Sequence, residues 1–192
     1  MSTVILDQIV FNAPLEMFTE RLRIQNKPAL IEEFAGLLQE AKTIARPKVI
    51  FKAAEITATG DDYVAIAGQT FYSQTLKETL VNLKRVFPAI ATCGRELAEW
   101  ADGIDGVYTA FCAQVICEAA MGWAQDYFAH YVARHYQTKE IAYILPGTYD
   151  WPLVEQEKLF SLLNAAAAIG VELTASGTMR PIKTVSAVYY EK

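Results

Sequence analysis

The sequence predicts an α+β fold with a mainly antiparallel, twisted sheet and flanking helices. β-rich and amphipathic helical runs are mixed along the chain without the regular strand–helix alternation of a parallel sheet. Two neighbouring β-rich runs, residues 48–57 and 62–71, are joined by the turn-forming segment Thr-Gly-Asp-Asp at 59–62. That composition is typical of an antiparallel hairpin.

The remaining elements of the N-terminal half follow from capping residues and apolar spacing. In chain order we predict a strand at 4–9, a helix at 14–22 capped by Asn12, a helix at 28–45, the hairpin, a helix capped by Ser73, and a buried strand at 86–92. Leu76, Leu80 and Leu83 share one face of the helix after Ser73, so we expect that face to be buried.

The C-terminal half is predicted in the same way. In chain order we predict a short helix through Trp100, a long helix at 104–136 with a bend at Gly122, and a strand after Glu140. The next helix has Asp150 as its cap, Pro152 in its first turn and Gly170 at its end. Two strands at 171–175 and 182–190 then close the sheet. Leu159, Leu162, Leu163 and Ala166 supply the buried stripe of the helix after Asp150.

Length and composition predict a single domain over residues 1–192. A chain of 192 residues is long enough to bury a substantial core. Hydrophobic residues make up 53% of it and charged residues 20%, which is more apolar surface than such a core needs to hide. We therefore expect part of this surface to face a partner, and a homodimer is one alternative.

Charge and patterning exclude several classes of protein. The net charge of −5 and the lack of a Lys/Arg cluster argue against nucleic acid and against an anionic membrane surface. Acidic and basic residues interrupt the apolar run at 104–136 too often for a membrane span. The start of the chain lacks the basic region of a signal peptide, so a cytoplasmic location is expected.

Metal binding is not expected. His130 and His135 are five residues apart on the predicted long helix and therefore face different directions. Cys93, Cys112 and Cys117 are odd in number and lack metal-ligand spacing, which predicts reduced thiols. Cys93 stands near a helix start, where a thiolate would be favoured, but structural burial is the expectation we prefer.

The last quarter of the chain resembles one family. Pro146-Gly147, Asp150-Trp151-Pro152, the segment Lys-Thr-Val-Ser at 183–186, and Tyr189 match motifs of the activation (reactivation) domain of cobalamin-dependent methionine synthase. In that family the loop reads Arg, three residues, Gly-Tyr, a short gap and then Pro opening a helix. Its C-terminal strand carries Ser-Val-Ser-Gly and an aromatic pair. The segment 91–100 is similar to the family's Thr-x-Gly-Pro-Glu-Leu segment.

The order of parts agrees with the family across roughly residues 45–190. Residues 1–45 resemble the helical N-terminal extension of the family's small stand-alone members. The resemblance implies a methionine synthase activation domain-like fold in an accessory subunit without methyltransferase or cobalamin modules. Such a subunit would work in trans on a corrinoid protein or a methionine synthase core.

The resemblance implies a repair reaction in methionine biosynthesis. In the family, inactive cob(II)alamin is reduced by one electron from a flavodoxin-type donor and then methylated by S-adenosylmethionine. The chain lacks Asp-x-His-x-x-Gly, the signature of a base-off cobalamin binder, so its cobalamin would be supplied by a partner protein. The chemistry would belong to the cofactor, and the domain would hold the methyl donor over the corrin.

Two positions depart from the family's binding loop. Tyr143 stands where the family has the Arg that grips the carboxylate of S-adenosylmethionine, and Thr148 replaces the Tyr after the loop glycine, although Tyr149 follows it. Losing an Arg–carboxylate contact lowers the binding free energy by about 1.5–3 kcal/mol, a tenfold to hundredfold loss of affinity.

The resemblance nevertheless names candidate cofactor-binding residues. The loop contributes Pro146, Gly147, Tyr149 and, as an ammonium partner, Asp150, while Arg180 or Lys183 could replace the missing cation and Tyr189 matches the family's binding tyrosine. Each has a simpler role: Asp150 as a helix cap, Arg180 and Lys183 as solvated charges, and Tyr189 as a core ring with a wet hydroxyl. No catalytic residue is assigned.

Three functions are open at this point. The first is a reactivation subunit that binds S-adenosylmethionine and docks on a corrinoid protein. The second is a non-catalytic docking protein for a corrinoid methyltransferase that has lost the methyl donor site, favoured by Tyr143 and Thr148. The third is an enzyme that uses the same cleft for an unrelated small molecule.

Overall fold

Antiparallel strand pairing organises residues 2–192, which are the residues that the computed structural model describes. The strands are β1 Val4–Leu6, β2 Lys48–Phe51, β3 Ala54–Thr59, β4 Tyr63–Ile66, β5 Gln69–Tyr72, β6 Arg85–Thr92, β7 Ile141–Ile144, β8 Glu172–Leu173, β9 Met179–Arg180 and β10 Thr184–Glu191. Every pair among them is antiparallel. With the helices described below, this confirms the predicted α+β class.

The longest ladder joins β6 and β10 at the centre of the main sheet. It runs from Thr184 opposite Thr92 to Tyr189 opposite Phe87. On the far side of β10 lies β7, the last strand on that side of the sheet. On the far side of β6, both β2 and β3 pair with it, β1 continues from β2, and β4 and β5 continue from β3.

The helices are mixed with the strands along the chain. The α-helices are α1 Glu16–Thr19, α2 Pro28–Ile44, α3 Gln74–Leu80, α4 Arg95–Asp102, α5 Val107–Tyr136 and α6 Gln156–Leu163, and short 3-10 turns lie at Leu153–Glu155 and Ala166–Ile169. α5 is one unbroken helix through Gly122. Among the residues that the structure describes, no helix is long and apolar enough to span a membrane.

The sheet is covered on both faces. One face packs against α5, where Phe51, Phe87 and Ala187 bury their side chains with Phe128. The opposite face packs against α3 and α6 and against Trp151 of the loop before α6, which is buried with Val188. Because neighbouring residues on a strand point to opposite faces, Tyr189 belongs to the α5 face and Val188 to the other.

A further apolar cluster lies beside the sheet and is formed mainly by helices. It joins α1 and α2 to α4 and the first half of α5, with Phe18 against Phe34 at a ring-centroid distance of 5.1 Å. On its surface the side chain of Arg21 forms an ion pair with Glu118 at 2.7 Å. The N-terminal helices therefore pack on the same long helix that covers the sheet.

Several predicted elements agree closely with the structure. The helix predicted at 28–45 is α2, the strand at 86–92 is β6, and the long helix at 104–136 is α5. The Ser73 hydroxyl accepts a hydrogen bond from the Leu76 N–H at 2.9 Å, which confirms Ser73 as the cap of α3.

The hairpin prediction was right at its turn and wrong in its strands. The turn at 60–62 joins β3 and β4, but the run 48–57 is divided into β2 and β3, which both pair with β6. The run 62–71 is also divided, because Ala67 and Gly68 have positive φ angles of 48° and 84° and form a second tight turn before β5. Neither division was predicted.

The helix predicted at 14–22 and the strand predicted at 4–9 were both too long. Only residues Glu16–Thr19 are α-helical, and β1 ends at Leu6. Asn12 is not the cap, since the helix starts after Leu15 without a side-chain capping bond.

The predicted cap of the C-terminal helix was wrong. The carboxylate of Asp150 accepts hydrogen bonds from Ser73 Oγ at 2.8 Å and from the Gln74 N–H at 2.6 Å, so it lies at the start of α3. A turn closed by the Gly147 N–H to the Trp151 carbonyl, at 2.7 Å, directs Asp150 away from α6.

The end of the chain also differs from the prediction. α6 ends at Leu163, where Asn164 has a φ of 46°, and Gly170 ends the following 3-10 turn instead. The predicted strand at 171–175 is the two-residue β8, which pairs with β9 and not with the main sheet. The last strand, β10, agrees with the prediction.

Candidate functional site

The loop after β7 is a hydrogen-bonded turn. The Thr148 N–H and the Trp151 N–H donate to the carbonyls of Leu145, at 3.2 Å, and of Thr148, at 3.0 Å. Gly147 has a φ of +85°, and a Cβ atom at this position would lie 3.3 Å from Leu153 Cδ1. A glycine is therefore required here both by backbone conformation and by close packing. Pro146 is buried beside it.

Two side chains of this loop have different surroundings. The Thr148 hydroxyl donates to the Leu145 carbonyl at 2.6 Å, so it holds the turn. Tyr149 follows with a φ of 52° and with 85% of its surface exposed. The loop therefore offers one exposed aromatic ring to solvent.

Asp150 joins the loop to the start of α3. Besides its bonds to Ser73 and Gln74, its carboxylate accepts from the Thr75 N–H at 3.1 Å. Hydrogen bonds from Thr75 and then Ser73 lower the pKa of Asp150 to about 2. Anionic oxygen at a helix start is also favoured by the helix dipole. The carboxylate is thus already engaged by the protein.

Tyr143 and Tyr189 are neighbours across β7 and β10. They face each other in the ladder, and their ring centroids are 5.2 Å apart. Tyr143 is 50% exposed whereas Tyr189 is only 1% exposed. The ring of Tyr189 lies against Phe128 of α5 in a T-shaped contact at 4.8 Å. The two positions that the family resemblance singled out therefore form one surface, with Tyr143 outside and Tyr189 beneath it.

Helix α5 supplies two polar side chains next to this pair. The Gln125 side-chain amide donates to the Tyr189 hydroxyl at 3.2 Å. Burial raises the pKa of Tyr189, and the nearby Tyr143 and Asp126 raise it further, so its phenol is neutral at physiological pH. Gln125 and Asp126 were not predicted from the sequence as residues of this surface. The sequence shows them as two polar residues inside an apolar stretch of a predicted helix. That pattern by itself indicates only a helix face exposed to solvent.

Arg180 and Lys183 lie away from this surface. They line a separate cavity with residues of α4 and α5. Lys183 precedes the end of β10 that pairs with Thr92, whereas Val188 pairs with Ile144 beside the loop. At about 3.3 Å per residue, roughly 16 Å of strand separates Lys183 from Val188. The structure therefore does not bring these two cations to the loop.

The remaining candidates carry no separate chemistry. Within residues 2–192 no group of three His, Cys, Asp or Glu side chains could hold a metal ion. Cys93 is fully buried, and its contact with the Cys117 thiol, followed by burial, raises the pKa of its own thiol. Cys93 is therefore a neutral core residue, in agreement with the preferred expectation.

Comparison with known proteins relates this arrangement to a family. Residues 122–192 match the model of the family described as vitamin B12 dependent methionine synthase, activation domain. This segment contains the second half of α5, the loop, α6 and β10. No curated protein matches the chain in sequence.

A solved structure shares the fold over the whole chain. It is the crystal structure of the MetH reactivation domain bound to AdoHcy, with a TM-score of 0.74 and 13% sequence identity. The match covers 100% of this chain and 78% of that chain. At such low identity the likeness establishes the fold alone. By fold over the whole chain and by sequence over residues 122–192, the resemblance of this protein to the methionine synthase activation domain is confirmed.

Proposed function

We propose that this chain is a reactivation-type accessory subunit that binds S-adenosylmethionine on the surface formed by Tyr143, Tyr149, Gln125, Asp126 and the buried Tyr189. The observation that carries this proposal is the direct contact between Tyr143 and Tyr189. It places the family's loop position beside its strand tyrosine in a chain of the same fold. The related MetH domain was solved with AdoHcy bound, which supports a ligand of the same class.

The side chains present fit part of the ligand. The exposed rings of Tyr143 and Tyr149 offer flat surfaces on which adenine can stack. Asp126 is exposed beside the pair and offers a carboxylate to the ligand's ammonium group. Gln125 bonds the Tyr189 hydroxyl and holds that ring in place under the surface.

The proposed surface offers no cationic side chain to the carboxylate of the ligand. Tyr143 replaces the guanidinium, and the cations Arg180 and Lys183 lie at the other end of β10. The missing charge-assisted contact lowers the binding free energy by about 1.5–3 kcal/mol. We therefore expect this chain to bind S-adenosylmethionine tenfold to a hundredfold more weakly than the Tyr143→Arg variant does.

The proposal includes a partner and a location. The sequence carries no Asp-x-His-x-x-Gly signature of a base-off cobalamin binder, so cobalamin would be carried by a corrinoid protein or a methionine synthase core acting in trans. Cobalamin, with S-adenosylmethionine and an electron from a flavodoxin-type donor, supplies the methyl-transfer chemistry when bound. This chain would bind and orient the methyl donor. Cysteines that are all free are compatible with the cytoplasm.

Isothermal titration with S-adenosylmethionine tests the proposal. Measurable binding by the unaltered chain, strengthened at least tenfold by Tyr143→Arg, is the expected result. Val154→Arg is the control, because it adds the same charge at an exposed position of the 3-10 turn that follows the loop, outside the proposed surface. Equal gains from both variants would indicate non-specific attraction, and absence of binding by the chain and by Tyr143→Arg would exclude the site.

A docking protein without a methyl donor site is the second candidate. It is favoured by Tyr143 and by Thr148, whose hydroxyl is used within the turn. If this is the function, the chain binds a corrinoid protein in a pull-down while S-adenosylmethionine changes neither the chain nor the complex. A chain that binds neither would leave the third candidate, an enzyme acting on another small molecule.

A further inference from the structure

A cavity of about 540 Å³ lies between α4, α5 and the segment from the second 3-10 turn to β10. This volume falls in the range of small-molecule sites in proteins. The cavity is separate from the loop surface, which is the proposed methyl donor surface around Tyr143, Tyr149 and Tyr189. None of the cavity's lining residues lies between Cys117 and Ala167, the part of the chain that contains Gln125, Tyr143 and the loop.

Two opposite charges stand side by side at its wall. Glu172 of β8 and Arg180 of β9 are directly opposite each other in the ladder, and both line the cavity. Such cross-strand positions hold their Cβ atoms about 5 Å apart. Both residues are exposed, and neither forms an ion pair within residues 2–192. The cavity therefore presents an unpaired carboxylate next to an unpaired guanidinium.

The other charges at the cavity are engaged by neighbours. Arg95 pairs with Glu99 at 2.8 Å, and Lys183 pairs with Glu118 at 3.6 Å. Asp102 of α4 also lines the cavity and accepts a hydrogen bond from the Gln114 amide at 3.4 Å. The free pair formed by Glu172 and Arg180 therefore decides which charges a ligand should carry.

Between these charges the lining is apolar. Ala98 of α4, Ala167, Val171 and Ile182 line the cavity together with the buried Cys117. These side chains can cover an aliphatic group but offer it no hydrogen bond. A ligand that matches the cavity therefore carries a positive and a negative group at one end, and the rest of it is uncharged and apolar.

We propose that this cavity binds a free α-amino acid with an apolar side chain. Its carboxylate lies against the guanidinium of Arg180, its ammonium group against Glu172, and its side chain on the apolar lining. In an α-amino acid the ammonium group and the carboxylate are attached to the same carbon. Its two charges are therefore close enough together to contact two neighbouring cross-strand side chains at once. A polyanion would face Glu172 unpaired, and a simple cation would face Arg180 unpaired, which disfavours both.

Titration with three probes of similar length tests the proposal. L-norleucine carries both charges, hexanoate lacks the ammonium group, and pentylamine lacks the carboxylate. Saturable binding of L-norleucine with a dissociation constant below about 1 mM, and at least tenfold weaker binding of the other two, is expected. Absence of norleucine binding, or equal binding of hexanoate, would overturn the proposal.

Two variants locate the binding. Arg180→Gln and Glu172→Gln each remove one charge from an exposed position, and each should weaken norleucine binding at least tenfold without lowering the melting temperature. Arg134→Gln, an exposed position near the end of α5, is the matched control and should leave binding unchanged. Equal affinity in Arg180→Gln and the unaltered chain would place the ligand elsewhere.

The outcome is independent of the proposed methyl donor site. Norleucine binding at the cavity should persist in Tyr143→Arg, because roughly 16 Å of strand separates the two regions. Loss of norleucine binding in Tyr143→Arg alone would mean that the probe occupies the loop surface, and would overturn the cavity site while leaving the proposed function standing.

Discussion

At the scale of single residues, Tyr189 is a core residue that borders the proposed binding surface. Its ring is 1% exposed and contacts both Phe128 and Tyr143, while its hydroxyl is bonded by Gln125. The ring is thus part of the core, and only its contact with Tyr143 links it to the exposed surface. A ligand on this surface would contact Tyr143 directly, and Tyr189 would affect its binding only through its contact with Tyr143.

The stability of Tyr189 variants should reflect this position. Tyr189→Phe removes one hydrogen bond and should lower the free energy of unfolding by about 0.5–1.5 kcal/mol. Tyr189→Ala removes a fully buried ring and should lower it by about 3–5 kcal/mol. Urea denaturation at neutral pH measures both. An alanine variant as stable as the unaltered chain would show that the ring is not in the core.

At the scale of elements, the loop after β7 is joined to α3 through Asp150. The carboxylate accepts bonds from Ser73, Gln74 and Thr75, which belong to the start of a helix more than 70 residues earlier in the chain. Asp150 was predicted from the sequence as a helix cap, but for the helix that follows it and not for α3. Capping signals are local in sequence, and this contact is long-range, so spacing alone could not identify its partner.

The pH dependence of stability should report this contact. The pKa of Asp150 is lowered from 3.8 to about 2 in the folded chain. A carboxyl group with a lowered folded pKa stabilises the fold fully above its unfolded pKa, and this contribution is lost as the pH falls through the folded value. The free energy of unfolding should therefore decrease between about pH 4 and pH 2, and this part of the decrease should be absent in Asp150→Asn.

Urea denaturation across that pH range measures the effect. Asp61→Asn is the control, because Asp61 is an exposed acid on the turn between β3 and β4 and forms no ion pair among the described residues. Its pH profile should follow that of the unaltered chain. If Asp150→Asn follows that profile too, the carboxylate does not hold the loop on α3 in solution.

The elements that sequence analysis predicted well have strong local signals. α2, α5 and β6 are long, periodic or continuously apolar, and Ser73 is a strong capping residue. The failures are positions where tertiary contacts decide. β2 and β3 separate because both pair with β6, and β8 leaves the main sheet because it pairs with β9.

At the scale of the whole molecule, β10 connects two distinct regions. At one end Tyr189 lies beneath the loop surface, and at the other Lys183 borders the cavity. α5 contributes to both, through Gln125 at the first and Gln114 at the second. The family resemblance located the first region and grouped Arg180 and Lys183 with it. Their separation depends on strand register, which residue patterns do not determine.

Hydrogen–deuterium exchange of the full chain, with and without saturating S-adenosylhomocysteine, tests the central claim most directly. If the loop surface is the binding site, exchange should slow at residues 141–149 and around residues 125 and 126, and stay unchanged at residues 172–183. Protection confined to residues 172–183, or no protection in either the chain or its Tyr143→Arg variant, would contradict the assignment of the methyl donor site to this surface.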